Sequence, residues 1–284
     1  MSKSRLSILI VLTTMSSYAV YPNPTTDLIN QSHQITILLS TALGTFLSSA
    51  SANTFNQILE SPMDAQMNRT RNRPMVRKLI SSGHATTFAL LSALSGTSIL
   101  YFVVNPIASY ISMITILTYV LIYTPLKRIS ILNTWIGSIV GALPPLIGSI
   151  SAAGHLNSWN ALFQLHSWLI PILLYVWQFP HFNALSHTIR RDYVKAGYMM
   201  SSSLNPYLNS KVSLRYSLLC FPLCSYLIPV YELSNWYFAY LSLIPNLYLS
   251  LPAFRFWWSS LDSASKLFWA SLIHLPSLLI LMIL

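Results

Sequence analysis

Residues 53–74 read NTFNQILESPMDAQMNRTRNRP and hold two of the chain's six acidic residues and three of its sixteen basic ones. On either side the chain turns apolar. Of its 284 residues, 54% are hydrophobic and only 8% charged, too little charge to cover a soluble globule of this size. The apolar residues come in runs of about twenty, the length that crosses a bilayer core as a helix. The sequence therefore predicts an all-α, polytopic membrane protein. Its nine candidate spans are residues 6–21, 35–52, 84–104, 107–123, 131–150, 168–182, 211–231, 236–252 and 267–284. Several contain Gly44, Pro144, Pro145, Pro171 or Pro245, which membrane helices tolerate when neighbours re-satisfy the freed backbone groups. No soluble domain or strong internal repeat interrupts the pattern, so residues 1–284 are expected to form one domain.

The charges agree with this division. The loops beginning at Pro22, Asn105, Ser151 and Glu232, together with the C-terminus, carry no Lys or Arg. All sixteen cations fall on the other side, which the positive-inside rule makes the cytoplasmic or matrix face, with the N-terminus on it. The net charge of +10 thus describes one face. Anionic lipid head groups or an anionic substrate are the expected partners, and nucleic acid is not. Cys220 and Cys224, one turn apart within an apolar run, read as small buried hydrophobes. Asn68-Arg69-Thr70 fits a glycosylation sequon but lies on the basic face, where the modification is not expected. No Arg-rich, acid-poor presequence precedes the first run, so the chain either lacks one or is shown without it.

The chemistry gathers in the charged loops. Asn56, Glu60 and Asp64 are spaced by four, which lines one face of a helix continuing from the second span. Pro62 is tolerated there if a new turn begins near it. Two carboxylates and an amide at a membrane surface suit Mg²⁺, a hard cation that takes oxygen ligands and shares them with substrate phosphates. Arg69, Arg71, Arg73 and Arg77 follow directly, and guanidinium groups match phosphate oxygens with two parallel donors. Arg71, Arg77 and Lys78 serve equally well as topology signals. The arrangement points to a diphosphate, with metal and arginines stabilising it as it departs.

Two further loops lie on the same face. Residues 177–200, WQFPHFNALSHTIRRDYVKAGYMM, contribute Asp192 beside Arg190, Arg191 and Lys195, and residues 123–128, YTPLKR, contribute Lys127 and Arg128. His181 stands at the end of the sixth span, one and a half turns before His187. A histidine at a membrane edge is more often a hydrogen-bonded packing residue than a ligand.

With these residues in view, the sequence resembles the UbiA superfamily of intramembrane prenyltransferases, and within it the haem-farnesylating branch. NQILESPMDAQMNRTRNRP is similar to that family's first Asp-rich motif, YTPLKR to its central basic loop, NTWIGSIVGALPPLIG to its fifth helix, and WQFPHFNALS with DYVKAGY to its second motif. The resemblance runs from about residue 3 to residue 200. It implies nine transmembrane helices around a central cavity. The implied reaction transfers the farnesyl group of farnesyl diphosphate to a vinyl group of haem B, giving haem O for a haem-copper oxidase, with haem A synthase acting downstream.

The resemblance also implies roles. Asn56, Glu60, Asp64 and Asp192 would hold Mg²⁺ and form the catalytic set; Arg69, Arg73, Lys127 and Arg128 would bind the diphosphate; His181, and more weakly His187, would meet haem iron or a propionate. Three departures stand out: Glu60 where many relatives have Asp, Arg191 where they often have a second acid, and Ser4 where they often have Pro. The motif style resembles the mitochondrial enzymes, which favours the inner mitochondrial membrane with the site on the matrix side over a bacterial plasma membrane. A polyprenyltransferase acting on a 4-hydroxybenzoate-like ring would carry more acid in its second motif. A transporter would carry ionisable residues near the middle of its spans, and a silent oxidase assembly factor would have lost metal binding through Arg191.

Overall fold

A computed structural model describes residues 3–22, 28–258 and 263–283. Most of the loop that begins at Pro22, and the last residue of the ninth candidate span, Leu284, lie outside them. The described chain is built of helices: α1 (Ser4–Val20), α2 (Leu28–Asp64), α3 (Ser82–Ile99), α4 (Pro106–Leu117), α5 (Thr124–Leu126), α6 (Asn133–Ala152), α7 (Gly154–Phe163) and α8 (Leu165–Thr188) come first. They are followed by α9 (Arg190–Lys195), α10 (Ser201–Leu204), α11 (Pro206–Pro222), α12 (Ile228–Val230), α13 (Trp236–Leu241), α14 (Leu243–Trp258) and α15 (Ser263–Ile283). Short π-helical stretches, Leu100–Val104, Thr118–Tyr123 and Leu223–Leu227, carry three of the long helices onward.

The all-α membrane class stands, but the count of nine spans is not reached. Among the described residues six helices are long and apolar enough to cross a membrane, and a seventh if α7 and α8, bent by 55° at Gln164, make one span. α1 has 17 residues, about 25 Å at 1.5 Å per residue, short of a core of about 30 Å. The eighth candidate is broken into α13 and α14 at Ser242. Pro245 has no N–H to give the carbonyl of Leu241, where α13 ends. The loop that begins at Ser151 contains α7.

The chain divides into two compact units, Met1–Pro125 with Val140–Pro171, and Leu126–Ile139 with Ile172–Leu284. In the first unit, α2 packs against α1, α3 and α4. The inward face of α3 is small (Ala85, Ala89, Ser92, Gly96) while Leu90, Leu91 and Leu94 point outward. This inversion is expected where lipid is as apolar as leucine and close backbone approach drives association. Gly96 meets the α2 backbone at Gly44, where a Cβ on Gly96 would fall 2.9 Å from the Gly44 carbonyl oxygen. A second close approach brings Gly148 of α6 onto the α1 backbone, flanked by a 3.1 Å bond from Thr14 Oγ1 to the Pro144 carbonyl and a 2.7 Å Ser17–Ser149 hydroxyl pair. In the second unit α11, α14 and α15 pack around Cys220, Leu249, Ala253, Phe256 and Leu267. Cys220 and Cys224 are buried free thiols, as the sequence suggested.

Candidate active site

In the first unit the site is built on the last turns of α2. The helix runs twelve residues past the apolar stretch because the polar side chains there, Asn53, Thr54, Asn56 and Gln57, are buried in protein. Asn53 Nδ2 donates to the Ser7 and Ser49 hydroxyls at 3.4 and 3.3 Å. Pro62 sits in the final turn, where the bond it cannot give to the Ile58 carbonyl interrupts only the end of the helix. Asn56, Glu60 and Asp64 therefore fall on one face, at four-residue spacing, with exposures of 0%, 4% and 2%.

Each end of this row is held by a cation. Asn56 Oδ1 accepts from Lys3 Nζ at 2.8 Å, and its Nδ2 donates to Thr124 Oγ1 at 3.1 Å. The Thr124 hydroxyl in turn donates to the Tyr119 carbonyl, five residues back, at 2.8 Å, a spacing that follows from the π-helical stretch before it. At the other end, the buried Asp64 Oδ2 accepts from Nη1 of the half-buried Arg73 in an ion pair. Residues 65–80 form tight turns rather than a helix, closed by Thr70 Oγ1 donating to the Asp64 carbonyl at 3.0 Å and by Arg73 N donating to the Thr70 carbonyl at 2.9 Å. Those turns carry Arg73 back to Asp64. Arg69, Arg71, Arg77 and Lys78 stay exposed.

The donor set fits Mg²⁺. Asn56, Glu60 and Asp64 offer hard oxygens from one helix face, and the Asn56 and Asp64 oxygens already accept from cationic donors, so a divalent cation meets groups oriented toward positive charge. Among the described residues no cluster of three or more His, Cys, Asp and Glu side chains forms a metal site; the triplet supplies two carboxylates and an amide.

In the second unit the central basic loop and the second charged loop are stitched together. Met199 N donates to the Lys127 carbonyl at 2.7 Å, and Asn133 Nδ2 bridges the carbonyls of Ser130 and Met199 at 2.6 and 2.8 Å. Lys127 Nζ lies over the Tyr198 ring, 5.9 Å from its centroid. Asp192 occupies the first turn of α9 and is partly exposed; Arg128 and Arg191 are exposed.

His181 and His187, both on α8, differ. His181 is partly exposed, stacks on Trp177 with centroids 4.6 Å apart, and bonds through Nδ1 to the Ser271 hydroxyl at 2.9 Å. His187 is 6% exposed, meets Phe256 edge-on, and has no hydrogen bond at either ring nitrogen among the described residues. Spacing did not single out Lys3, Thr124, Asn133 or Ser271. In the sequence Lys3 is one of the sixteen cations of the basic face.

A model of the UbiA prenyltransferase family matches residues 9–274. The chain is 42% identical over 296 residues, 99% of its length and 60% of the relative's, to a mitochondrial protoheme IX farnesyltransferase of Yarrowia lipolytica. The chain spans about 60% of the length of the curated relatives it matches. In fold it is similar to the apo structure of a UbiA homologue from Aeropyrum pernix K1, with TM-score 0.76, 17% identity and 99% of each chain covered. It is also similar to a UbiA homologue from Archaeoglobus fulgidus bound to GPP and Mg²⁺, with TM-score 0.67, 12% identity, and 100% of this chain and 99% of that one covered.

Proposed function

The chain belongs to the UbiA prenyltransferase family, and from that premise we propose that it farnesylates haem B, releasing diphosphate and forming haem O. The observation that carries this reading is the buried Asn56–Glu60–Asp64 face with Arg73 on Asp64. A carboxylate row beside a guanidinium is suited to a metal-bound diphosphate. The relatives' name supplies the acceptor: they are protoheme IX farnesyltransferases.

In this reading Asn56, Glu60 and Asp64 hold Mg²⁺, with Asp192 assigned to the same task by the second motif. When bound, the ion supplies positive charge against the diphosphate. Arg69, Arg73, Lys127 and Arg128 donate to phosphate oxygens and stabilise the charge that develops as the allylic C–O bond breaks. The diphosphate leaves with the electron pair of that bond. The farnesyl C1 joins the terminal vinyl carbon, the oxygen of one water joins the inner vinyl carbon, and one proton is lost. The apolar farnesyl chain gains about 0.8 kcal/mol per buried CH₂. His181 meets the haem and His187 supports that side. The whole of residues 1–284 acts as one catalytic domain in the inner mitochondrial membrane, its basic face toward the matrix, and its product passes to a haem A synthase.

The test is purified protein in nanodiscs with haem B, farnesyl diphosphate and Mg²⁺, following haem O by chromatography and mass, with an EDTA control. Metal-dependent haem O is expected, and Asp64→Asn should abolish it while the protein still inserts. In a parallel reaction offering 4-hydroxybenzoate beside haem B, prenylated 4-hydroxybenzoate in place of haem O would move the chain to a different branch of the family. Full turnover by Asp64→Asn would remove Asp64 from the mechanism.

A further inference from the structure

The hydrogen bonds around His181 fix more than its position. The Ser271 hydroxyl has one proton, and it lies 2.6 Å from the Phe268 carbonyl, three residues back on α15. A carbonyl can only accept, so that proton is committed. The hydroxyl must then accept at its 2.9 Å contact with His181 Nδ1, which makes Nδ1 the protonated nitrogen of the imidazole. Nε2 is left with a lone pair, and it makes no hydrogen bond among the described residues.

The ring is also locked in place. Trp177, one turn back on α8, stacks on it at 4.6 Å with a 17° interplanar angle, and Phe268 lies against it at 5.1 Å and 31°. Trp177 is itself tied to the same helix turn, its Nε1 donating to the Ser271 carbonyl at 2.9 Å. Ser271 thus holds both members of the stack, one through its backbone and one through its side chain, and it is fully buried. An imidazole whose Nδ1–H is engaged by a fixed oxygen acceptor, leaving Nε2 bare, is the arrangement by which proteins orient a metal-ligating histidine and raise its basicity. The aromatic flank suits a flat, conjugated macrocycle.

We propose that Ser271 is a positioning residue that sets the His181 tautomer and orientation so that Nε2 ligates the iron of haem B as an axial ligand. This rests on the reading of the chain as a haem farnesyltransferase and names the atom by which the acceptor is held. Ligation by Nε2 orients the macrocycle through its iron and leaves the vinyl groups at its edge free to react. Threonine at position 271 keeps the hydroxyl and its bond to the preceding turn; alanine removes both.

The experiment titrates ferric haem B into the full chain in nanodiscs, recording the Soret band and the electron paramagnetic resonance spectrum, with thermal unfolding and gel filtration as fold controls. The wild-type protein should give a histidine-ligated spectrum. His181→Ala should lose that spectrum and regain it with added imidazole. Ser271→Ala should weaken haem binding roughly tenfold or more, the range for removing an outer partner of a ligating histidine, and Ser271→Thr should restore it. Trp177→Phe keeps a stacking ring and should leave the ligation signature in place even if it loosens the fold. A histidine spectrum unchanged in His181→Ala overturns the proposal, as does a Ser271→Ala protein that is folded and binds haem with wild-type affinity. Loss of turnover in His181→Ala with an unchanged haem spectrum would make Nε2 a proton acceptor instead, which also overturns it. Failure of the parent reading looks different: haem bound through His181 with no farnesyl transferred.

Discussion

Replacing Gly148 with alanine tests whether the position of α1 governs the site. A Cβ at Gly148 would lie 2.1 Å from the Thr14 carbonyl oxygen and 3.1 Å from the Tyr18 amide nitrogen. Both are backbone atoms, so no side chain can swing away. Ordinary contact begins at 3.4 Å, so the two backbones must separate by roughly 1.3 Å, beyond the 0.5–1 Å gap that already forfeits a quarter to a half of the dispersion attraction. The same separation stretches the 3.1 Å Thr14–Pro144 bond and the 2.7 Å Ser17–Ser149 bond past hydrogen-bonding reach. Interhelical bonds in membrane proteins average about 0.6 kcal/mol, and overpacking costs about 1–3 kcal/mol. Together these give about 2–4 kcal/mol. For a chain of this size that is a fall in Tm of roughly 4–16 °C, at about 2–4 °C per kcal/mol.

The consequence reaches the site because Lys3, at the start of α1, holds Asn56 Oδ1 at 2.8 Å. Displacing α1 pulls that ammonium off the first motif, so the mutation should lower haem O turnover in the protein that remains folded at low temperature. Gly83→Ala is the control: nothing lies within 4 Å of its Cβ, and it stands in the first turn of α3. Alanine there should leave Tm unchanged or raise it slightly, gaining about 0.5–1 kcal/mol of helix stability. Thermal unfolding in one detergent, read by intrinsic tryptophan fluorescence, measures both. A Gly148→Ala protein within 1 °C of wild type would refute the close α1–α6 packing, and with it the argument that α1 delivers Lys3.

Two other substitutions act on the motif directly. Lys3→Met removes the charge-assisted bond to Asn56; at about 1.5–3 kcal/mol for such a bond, kcat/KM for farnesyl diphosphate should fall by roughly ten- to a hundredfold, and an unchanged value would leave Lys3 as a topology signal alone. Arg73→Gln should cost at least a hundredfold in kcat/KM because it unpairs the buried Asp64 carboxylate, whereas Arg71→Gln, at an exposed position, should stay within threefold. Equal losses at the two positions would show that the arginines act as a diffuse field rather than through the Asp64 pair.

What could be read from the chain, and what could not, divides by the range of the interaction. The register of Asn56, Glu60 and Asp64 was legible because a helical period is a local property, and the row survives Pro62 because that residue falls in the last turn of α2. The same local reasoning misjudged span length. Hydropathy reports what faces lipid, so it ended the second span at residue 52, although α2 continues to Asp64 with its polar side chains turned into protein. It also joined α13 to α14 across Ser242, where the apolar run continues but Pro245 leaves out the rung to the Leu241 carbonyl. Lys3 was counted only as a topology charge because its partner lies 53 residues away, and Ser271 was invisible because His181 lies 90 residues away.

Lys3 and Ser271 nevertheless share a trait that the sequence does display: a polar group set in or beside an apolar helix. Ser17 with Ser149, Ser112 with Ser48 and Ser271 with His181 all find partners on another helix. In lipid a hydroxyl has no water to fall back on, so it either bonds its own preceding turn or reaches across to a neighbour. Ser271 does both, and that double engagement is what gives it a structural consequence, because only a hydroxyl whose proton is already committed can dictate which nitrogen of a histidine carries its own. A serine in an apolar span is therefore a candidate for long-range pairing. Where the partner is titratable, the local bond to the preceding turn decides which protonation pattern that partner is given.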